Sequence, residues 1–111
     1  MIEKAITKYL PLSEATYYIL LALREPLHGY GVMQKVELLS KGEVRIGPGT
    51  LYGAFSNLEK ERLIFMVKEE KRRKMFTLTD KGKHVLAGHI RRLLVMAENG
   101  QAVLQALEKE E

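Results

Sequence analysis

The stretch Pro48-Gly49-Thr50-Leu51-Tyr52-Gly53-Ala54-Phe55-Ser56-Asn57-Leu58-Glu59-Lys60 decides the fold. Leu51, Ala54, Phe55 and Leu58 stand at i, i+3, i+4 and i+7, the spacing of an α-helix with one apolar stripe. Thr50, Tyr52, Gly53, Ser56 and Asn57 make the opposite face, which carries no carboxylate before Glu59. Such a helix is anchored through one side and offers small, uncharged donors and acceptors on the other. That surface suits the DNA major groove, where base edges supply complementary groups and phosphates repel carboxylates.

Working outward, Ser13 is placed to cap a first helix, with Glu14 in its first turn. Residues 15–23 are apolar nearly all round, so that helix should be buried on more than one side. Pro26-Leu27-His28-Gly29 reads as a turn into a second helix over Tyr30 to Leu39, with Val32, Met33, Val36 and Leu39 on one face. Ser40-Lys41-Gly42 stops it, and Val44 and Ile46 form a short extended piece. The decisive helix then starts at Gly49 or Thr50 as N-cap. Residues 1–11 form a lead-in, helical over Glu3 to Tyr9.

After Arg62 the apolar period changes to two. Ile64 to Val67 and Met75 to Leu78 read as strands, with Lys68 to Lys74 as the turn between them. No Asn-Gly or Gly-Gly marks that turn, so a long hairpin tip is expected. Three helices followed by a hairpin make a winged helix-turn-helix, a mainly α fold with a small β-hairpin. Its tip holds Lys71, Arg72, Arg73 and Lys74, four consecutive cations placed to meet phosphate and partly offset by Glu69 and Glu70.

Thr79-Asp80 opens a long last helix. Leu86, Ile90, Leu93, Ala97, Gly100, Leu104 and Leu107 repeat at spacings of four and three, a heptad seam. A helix of about 30 residues runs roughly 45 Å, too far to bury its seam against so small a domain. The same helix of a second copy is the natural partner. Two parts follow: residues 1–79 as the DNA-binding unit and 80–111 as the C-terminal dimerisation helix. Asn99-Gly100 is a turn signal in mid-helix, where Gly costs about 1 kcal/mol relative to Ala. A continuous helix, with Ala97 and Gly100 permitting close contact, is the reading adopted.

Composition fits this picture. The 111 residues are 46% hydrophobic and 29% charged, globular values, with no cysteine to form disulfides or thiolate metal sites. No apolar run reaches transmembrane length and the first ten residues are no secretory signal, so a soluble, cytoplasmic protein is expected. Net charge is +4, yet Glu98 to Glu111 holds four acids and one Lys. The basic excess therefore lies in the body of the chain and points to an anionic partner.

Four ordered motifs carry a resemblance: Leu27-His28-Gly29-Tyr30, Pro48-Gly49-Thr50-Leu51-Tyr52, Leu58-Glu59-Lys60-Glu61, and Leu78-Thr79-Asp80-Lys81-Gly82. Between Ser13 and Gly82 the chain resembles the PadR family of transcriptional regulators. The resemblance implies a homodimer, repression at an inverted-repeat operator, and release by a small aromatic or drug-like effector. Its length is similar to the short-tailed subfamily that includes multidrug regulators. Gly53 stands where the family usually has Pro, Arg62 where it usually has Gly, and the hairpin lacks the family's common Gly. The last helix holds no aromatic residue, so an aromatic clamp for flat ligands is absent from it.

The candidate DNA contacts are thus Thr50, Tyr52, Ser56 and Asn57 on the helix and Lys71 to Lys74 on the hairpin. Tyr9, Tyr17, Tyr18, Leu93 and Met96 are candidates to line an effector pocket, with plain core and interface as the alternative. His28 suits packing or capping and could also reach phosphate. His84 and His89, five apart, point to different sides of a helix, and no metal site or cofactor is expected. No catalytic constellation is present. The competing function is a winged-helix module that docks an acidic protein without operator specificity.

Overall fold

The computed structural model describes residues 2–111; Met1 of the lead-in lies outside them. The order is α1 (Ile2–Thr7), α2 (Glu14–Ala22), β1 (Leu27–His28), α3 (Gly29–Leu39), α4 (Pro48–Lys60), β2 (Ile64–Glu70), β3 (Arg73–Leu78) and α5 (Asp80–Glu110). The three strands form one antiparallel sheet in the order β1-β3-β2. This is the mainly helical winged helix-turn-helix with a long last helix.

Each helix start has a local cause. Ser13 Oγ accepts from the Thr16 N–H at 3.1 Å and caps α2. His28, through Nδ1, caps α3 by accepting from the Gly31 N–H. Gly47 is the N-cap of α4, so that helix starts at Pro48 rather than after Gly49 or Thr50. Proline's fixed φ suits the first helical position, where its missing N–H costs nothing. The stripe on α4 packs as its spacing requires: Leu51, Phe55 and Leu58 are buried and Ala54 half-buried. They join Ile19, Leu20 and Leu23 of the α2 region, Val32 and Val36 of α3, and Phe76 and Leu78 of β3 in one core.

Several expectations need correction. Leu27–His28 is a strand, not a turn, pairing with Phe76 and Met75 of β3. Two residues are too few for a period to be visible. Val44 and Ile46 sit in a connecting segment without strand structure, although Ile46 is buried. Leu39, expected on the buried face of α3, is exposed, although Val36 before it and the C-cap Ser40 after it are buried. The first helix ends at Thr7.

Arg62 takes φ 61°, the left-handed geometry that Gly adopts freely. The Leu63 N–H donates to the Leu58 carbonyl at 2.9 Å and the Arg62 N–H to the Glu59 carbonyl at 3.0 Å. These are the two bonds of a Schellman cap, completed by the buried Leu58 and Leu63 side chains.

The start of α5 is stitched onto that cap. The Thr79 hydroxyl donates to the Arg62 carbonyl at 2.7 Å and accepts from the Gly82 N–H at 2.9 Å. The Thr79 N–H donates to the Leu63 carbonyl at 3.0 Å, and Lys81 Nζ to the Glu61 carbonyl at 3.1 Å. Gly82 lies so close that a Cβ there would stand 2.0 Å from the Leu63 oxygen. The end of α4 and the beginning of α5 are therefore one rigid joint.

Beyond it α5 runs unbroken through Asn99-Gly100. Its first turns belong to the core: Val85, Leu86 and His89 are buried and Ile90 packs against them. Leu86 is 5% exposed within its own protomer, which corrects its assignment to the dimer seam. The core thus extends past residue 79. From Leu94 onward every residue is exposed, including Met96, Val103, Leu104 and Leu107.

The joint predicts opposite effects for two glycines. Gly82→Ala should cost about 3 kcal/mol or more, because backbone rather than a flexible side chain obstructs the methyl. Gly53→Ala, where nothing lies within 4 Å of the added Cβ, should gain about 1 kcal/mol. Denaturant unfolding at fixed protein concentration measures both.

Candidate nucleic-acid interface

Because Leu51, Phe55 and Leu58 hold α4 to the core, its other face must look outward. Thr50, Tyr52, Ser56 and Asn57 are all exposed there. Tyr52 remains 54% exposed, yet its position is fixed. Its ring meets Phe55 edge-on, centroids 6.1 Å apart, and its hydroxyl lies over Gly29. A Cβ on Gly29 would come within 2.6 Å of that hydroxyl, so the absence of a side chain at 29 is what admits the ring. Phe55 packs on Phe76 of β3 at 5.0 Å, which ties α4 to the hairpin.

The hairpin tip is tighter than expected. Lys71 and Arg72 alone connect β2 to β3, with φ of 50° and 69°. Positive φ at both central residues marks a primed two-residue turn, normally built from Asn-Gly or Gly-Gly. Here two cations hold that geometry, a local strain of the kind found where side-chain chemistry outweighs backbone comfort. Arg73 and Lys74 lie in β3, opposite Glu70 and Glu69. The pairing skips Val67, a bulge between Met66 and Lys68 that bends the strand.

α4, the hairpin and the start of α3 enclose a cleft of about 600 Å³. Tyr52, Ser56, Arg72, Arg73 and Lys74 all line it, so five of the eight candidate DNA contacts converge. Thr50 and Asn57 are exposed on α4 but do not line it. Lys71 lines an adjoining hollow with Arg73, Glu70, Met75 and His28. The cleft also takes in His28, Tyr30 and the carboxylate of Glu59. Tyr30, 59% exposed, is the residue the sequence reading left out. It lies on the first turn of α3, two positions after the capping His28, and no spacing in the sequence marks it.

A second hollow, about 380 Å³, lies between the start of α2 and mid-α5. It brings together Tyr17, Tyr18, Leu93 and Met96 of the expected effector pocket, with His89 and Arg92 beside them. Tyr9 is not among them. Its ring packs on the core and lies under the ammonium groups of Lys8 and Lys81, 5.1 and 4.9 Å from the centroid.

His89, 6% exposed, accepts the Leu12 N–H through Nδ1 at 3.2 Å and packs against the Tyr17 ring at 5.0 Å. Burial, and then the charge of Arg92, push its pKa below the ordinary 6.5. Tyr17 is pushed upward by burial and by its neighbour Tyr18.

Among known proteins, the family described as the transcriptional regulator PadR-like family matches residues 18–88. An uncharacterized 37.1 kDa protein in transposon TN4556 of Streptomyces fradiae is 39% identical over 75 residues, covering 67% of this chain. The chain spans only about a fifth, 21%, of that relative. The fold is shared with smu.1704 from Streptococcus mutans UA159, at TM-score 0.69 and 26% identity, covering 87% of this chain and 93% of that one. A PadR family transcription regulator from Clostridium difficile R20291 superposes at TM-score 0.70 with 20% identity, covering 83% and 99%. RosR of H. salinarum, in its complex with S4, gives TM-score 0.70 at 18% identity over 92% and 94%.

Replacing Lys71-Arg72 by Asn-Gly should relieve the turn and raise stability by about 1 kcal/mol. The same change should weaken binding to any duplex and flatten the log–log salt slope by about 2, one per lost cation. Thermal melting and anisotropy titrations at several salt concentrations read the two effects. For His89, the unfolded chain takes up its proton first as pH falls. Stability is full above about 6.5 and declines as pH drops from there toward the lower folded value. His89→Gln should show a flatter fall in melting temperature between about pH 7 and pH 5 than the wild type.

Proposed function

The chain belongs to the PadR-like family of transcriptional regulators, and from that premise we propose that it is a homodimeric, cytoplasmic repressor of an inverted-repeat operator, released by a small-molecule effector. The observation that carries the DNA-binding part is the cleft. It joins an uncharged, outward helix face to three consecutive cations of the wing, Arg72, Arg73 and Lys74. In this reading Tyr52 and Ser56, with Thr50 and Asn57, meet base edges in the major groove, while the wing neutralises backbone phosphates.

The outer half of α5 supports the dimer. Met96, Val103, Leu104 and Leu107 are each more than half exposed and share one side of the helix, an apolar face that water disfavours, while the exposed Leu94 and Val95 turn away from it. Ile90, Leu93 and Ala97 continue the same side toward the domain. Gly100 has nothing within 4 Å of a Cβ position, so its own protomer gives no reason for it. A partner helix approaching closely at Ala97 and Gly100 does. Two copies joined this way present two α4 helices, with half-sites about one DNA turn apart, near 34 Å.

The hollow lined by Tyr17, Tyr18, Leu93 and Met96 abuts that face, which favours it as the effector site. An apolar, aromatic molecule bound there would act on the spacing of the α5 pair, with a coupling of about 1–3 kcal/mol.

The test combines sedimentation with DNA binding. The wild type should sediment as a dimer at micromolar concentration and shift DNA from upstream of its own gene in preference to scrambled DNA. Leu104→Lys with Leu107→Lys should yield a folded monomer that has lost at least tenfold in affinity. A monomeric wild type, or equal affinity for both DNAs, would overturn the proposal.

A further inference from the structure

His28 holds a position that capping alone does not exhaust. Its backbone is fixed by the β1–β3 ladder, opposite Met75. Its side chain is fixed by the cap, with Nδ1 accepting from the Gly31 N–H at 3.4 Å. An imidazole nitrogen that accepts carries no proton, so the ring's hydrogen sits on Nε2. Among the described residues Nε2 makes no hydrogen bond to the protein, and no buried side-chain nitrogen or oxygen lacks a partner. The Nε2–H is therefore an open donor at the surface. That surface is the junction of the two hollows beside the wing, since His28 lines both, and Arg73 lines both with it.

We propose that His28 is a DNA-backbone ligand: its Nε2–H donates to a phosphate oxygen of the strand that runs between α4 and the wing. This rests on the DNA-binding function proposed above and adds a contact on a third element, the entry of α3. A strand that enters the cleft between Tyr52 and Ser56 on one side and Arg72, Arg73 and Lys74 on the other has its backbone on the cleft floor. Tyr30, exposed on the first turn of α3, flanks the same floor. Two carboxylates border the site. Glu59 lines the cleft with Ser56, and Glu70 lines the adjoining hollow beside Lys71, where the strand register sets it opposite Arg73. The cap does two tasks at once: it ends α3 properly, and it holds the one tautomer that can donate outward.

The contact has a signature that neither a cap nor a cation shares. A neutral donor to phosphate strengthens binding to every sequence, but it displaces no counterion, so the salt slope is untouched. His28→Asn and His28→Ser keep a good N-cap and are too short to reach the phosphate. His28→Ala removes the cap as well. Anisotropy titrations with one labelled random duplex at low salt should show all three variants binding roughly tenfold more weakly than the wild type. Their log–log salt slopes should match the wild type. Only the Ala variant should melt earlier, by about 5 °C.

Affinity losses that track melting temperature across the three variants would reduce His28 to a cap and overturn the proposal. So would Asn and Ser variants that bind as tightly as the wild type. A wild type that binds no duplex removes the DNA-binding function itself and this contact with it, whereas a wild type that binds while the variants match it removes the contact alone.

Discussion

The backbone of Gly82 against the carbonyl of Leu63 is the contact on which the rest of the molecule depends. It fixes the start of the long helix α5 to the Schellman cap that ends α4. Around it, the Thr79 hydroxyl bridges the Arg62 carbonyl and the Gly82 N–H, and Lys81 takes up the Glu61 carbonyl. The carbonyls that end α4 accept from the Thr79 hydroxyl and the Lys81 ammonium, the Leu63 carbonyl just beyond them accepts the Thr79 N–H, and the same hydroxyl caps the Gly82 N–H of α5. Whatever holds α5 therefore also aims α4. An apolar side of the outer half of α5 and the uncharged outward face of α4 become parts of one lever.

The wing is built on a different balance. Its tip could be made more comfortable by residues that favour positive φ, but those carry no charge. Lys71 and Arg72 accept left-handed geometry and bring two cations to the extreme end of the hairpin. Glu69 and Glu70 sit across the strands from Lys74 and Arg73, and Glu70 pairs with Lys68 at 3.0 Å, so carboxylates offset the hairpin's cations when no anion is near. The Phe55–Phe76 contact carries the wing's orientation back to α4, so hairpin and helix move together. Backbone ladder, aromatic packing and N-cap all meet at His28 and Gly29, where α3 starts.

Much of this was legible in the residues. The stripe Leu51, Ala54, Phe55, Leu58 predicted which side of α4 is buried, because a helix with one apolar stripe has only one way to face a core. The caps at Ser13 and Thr79 were readable for the same reason: each offers an oxygen where N–H groups lack partners. What stayed hidden was short or non-local. The strand Leu27–His28 has no period to detect, and only its pairing with β3 reveals it. Leu86 fits the heptad seam as well as Leu104 does, and nothing in spacing tells a helix's inner half from its outer half. The tight turn at Lys71-Arg72 contradicts residue preference, so composition pointed to a longer tip. Gly82 looked like an ordinary helical glycine; the reason for it is a carbonyl nineteen positions earlier in the chain. At the candidate site the outward residues of α4 were visible from the helical period, whereas Tyr30 and the donor on His28 depend on how α3 meets the wing.

The central claim is that paired α5 helices hold two α4 helices at a fixed separation through a rigid joint. The chain has no cysteine, so Lys60→Cys, exposed at the end of α4, places a single spin label on each copy. Double electron–electron resonance on that variant should give one narrow distance distribution, on the order of 34 Å, unchanged when duplex DNA is added. A broad distribution, or no dipolar coupling at all, would contradict it.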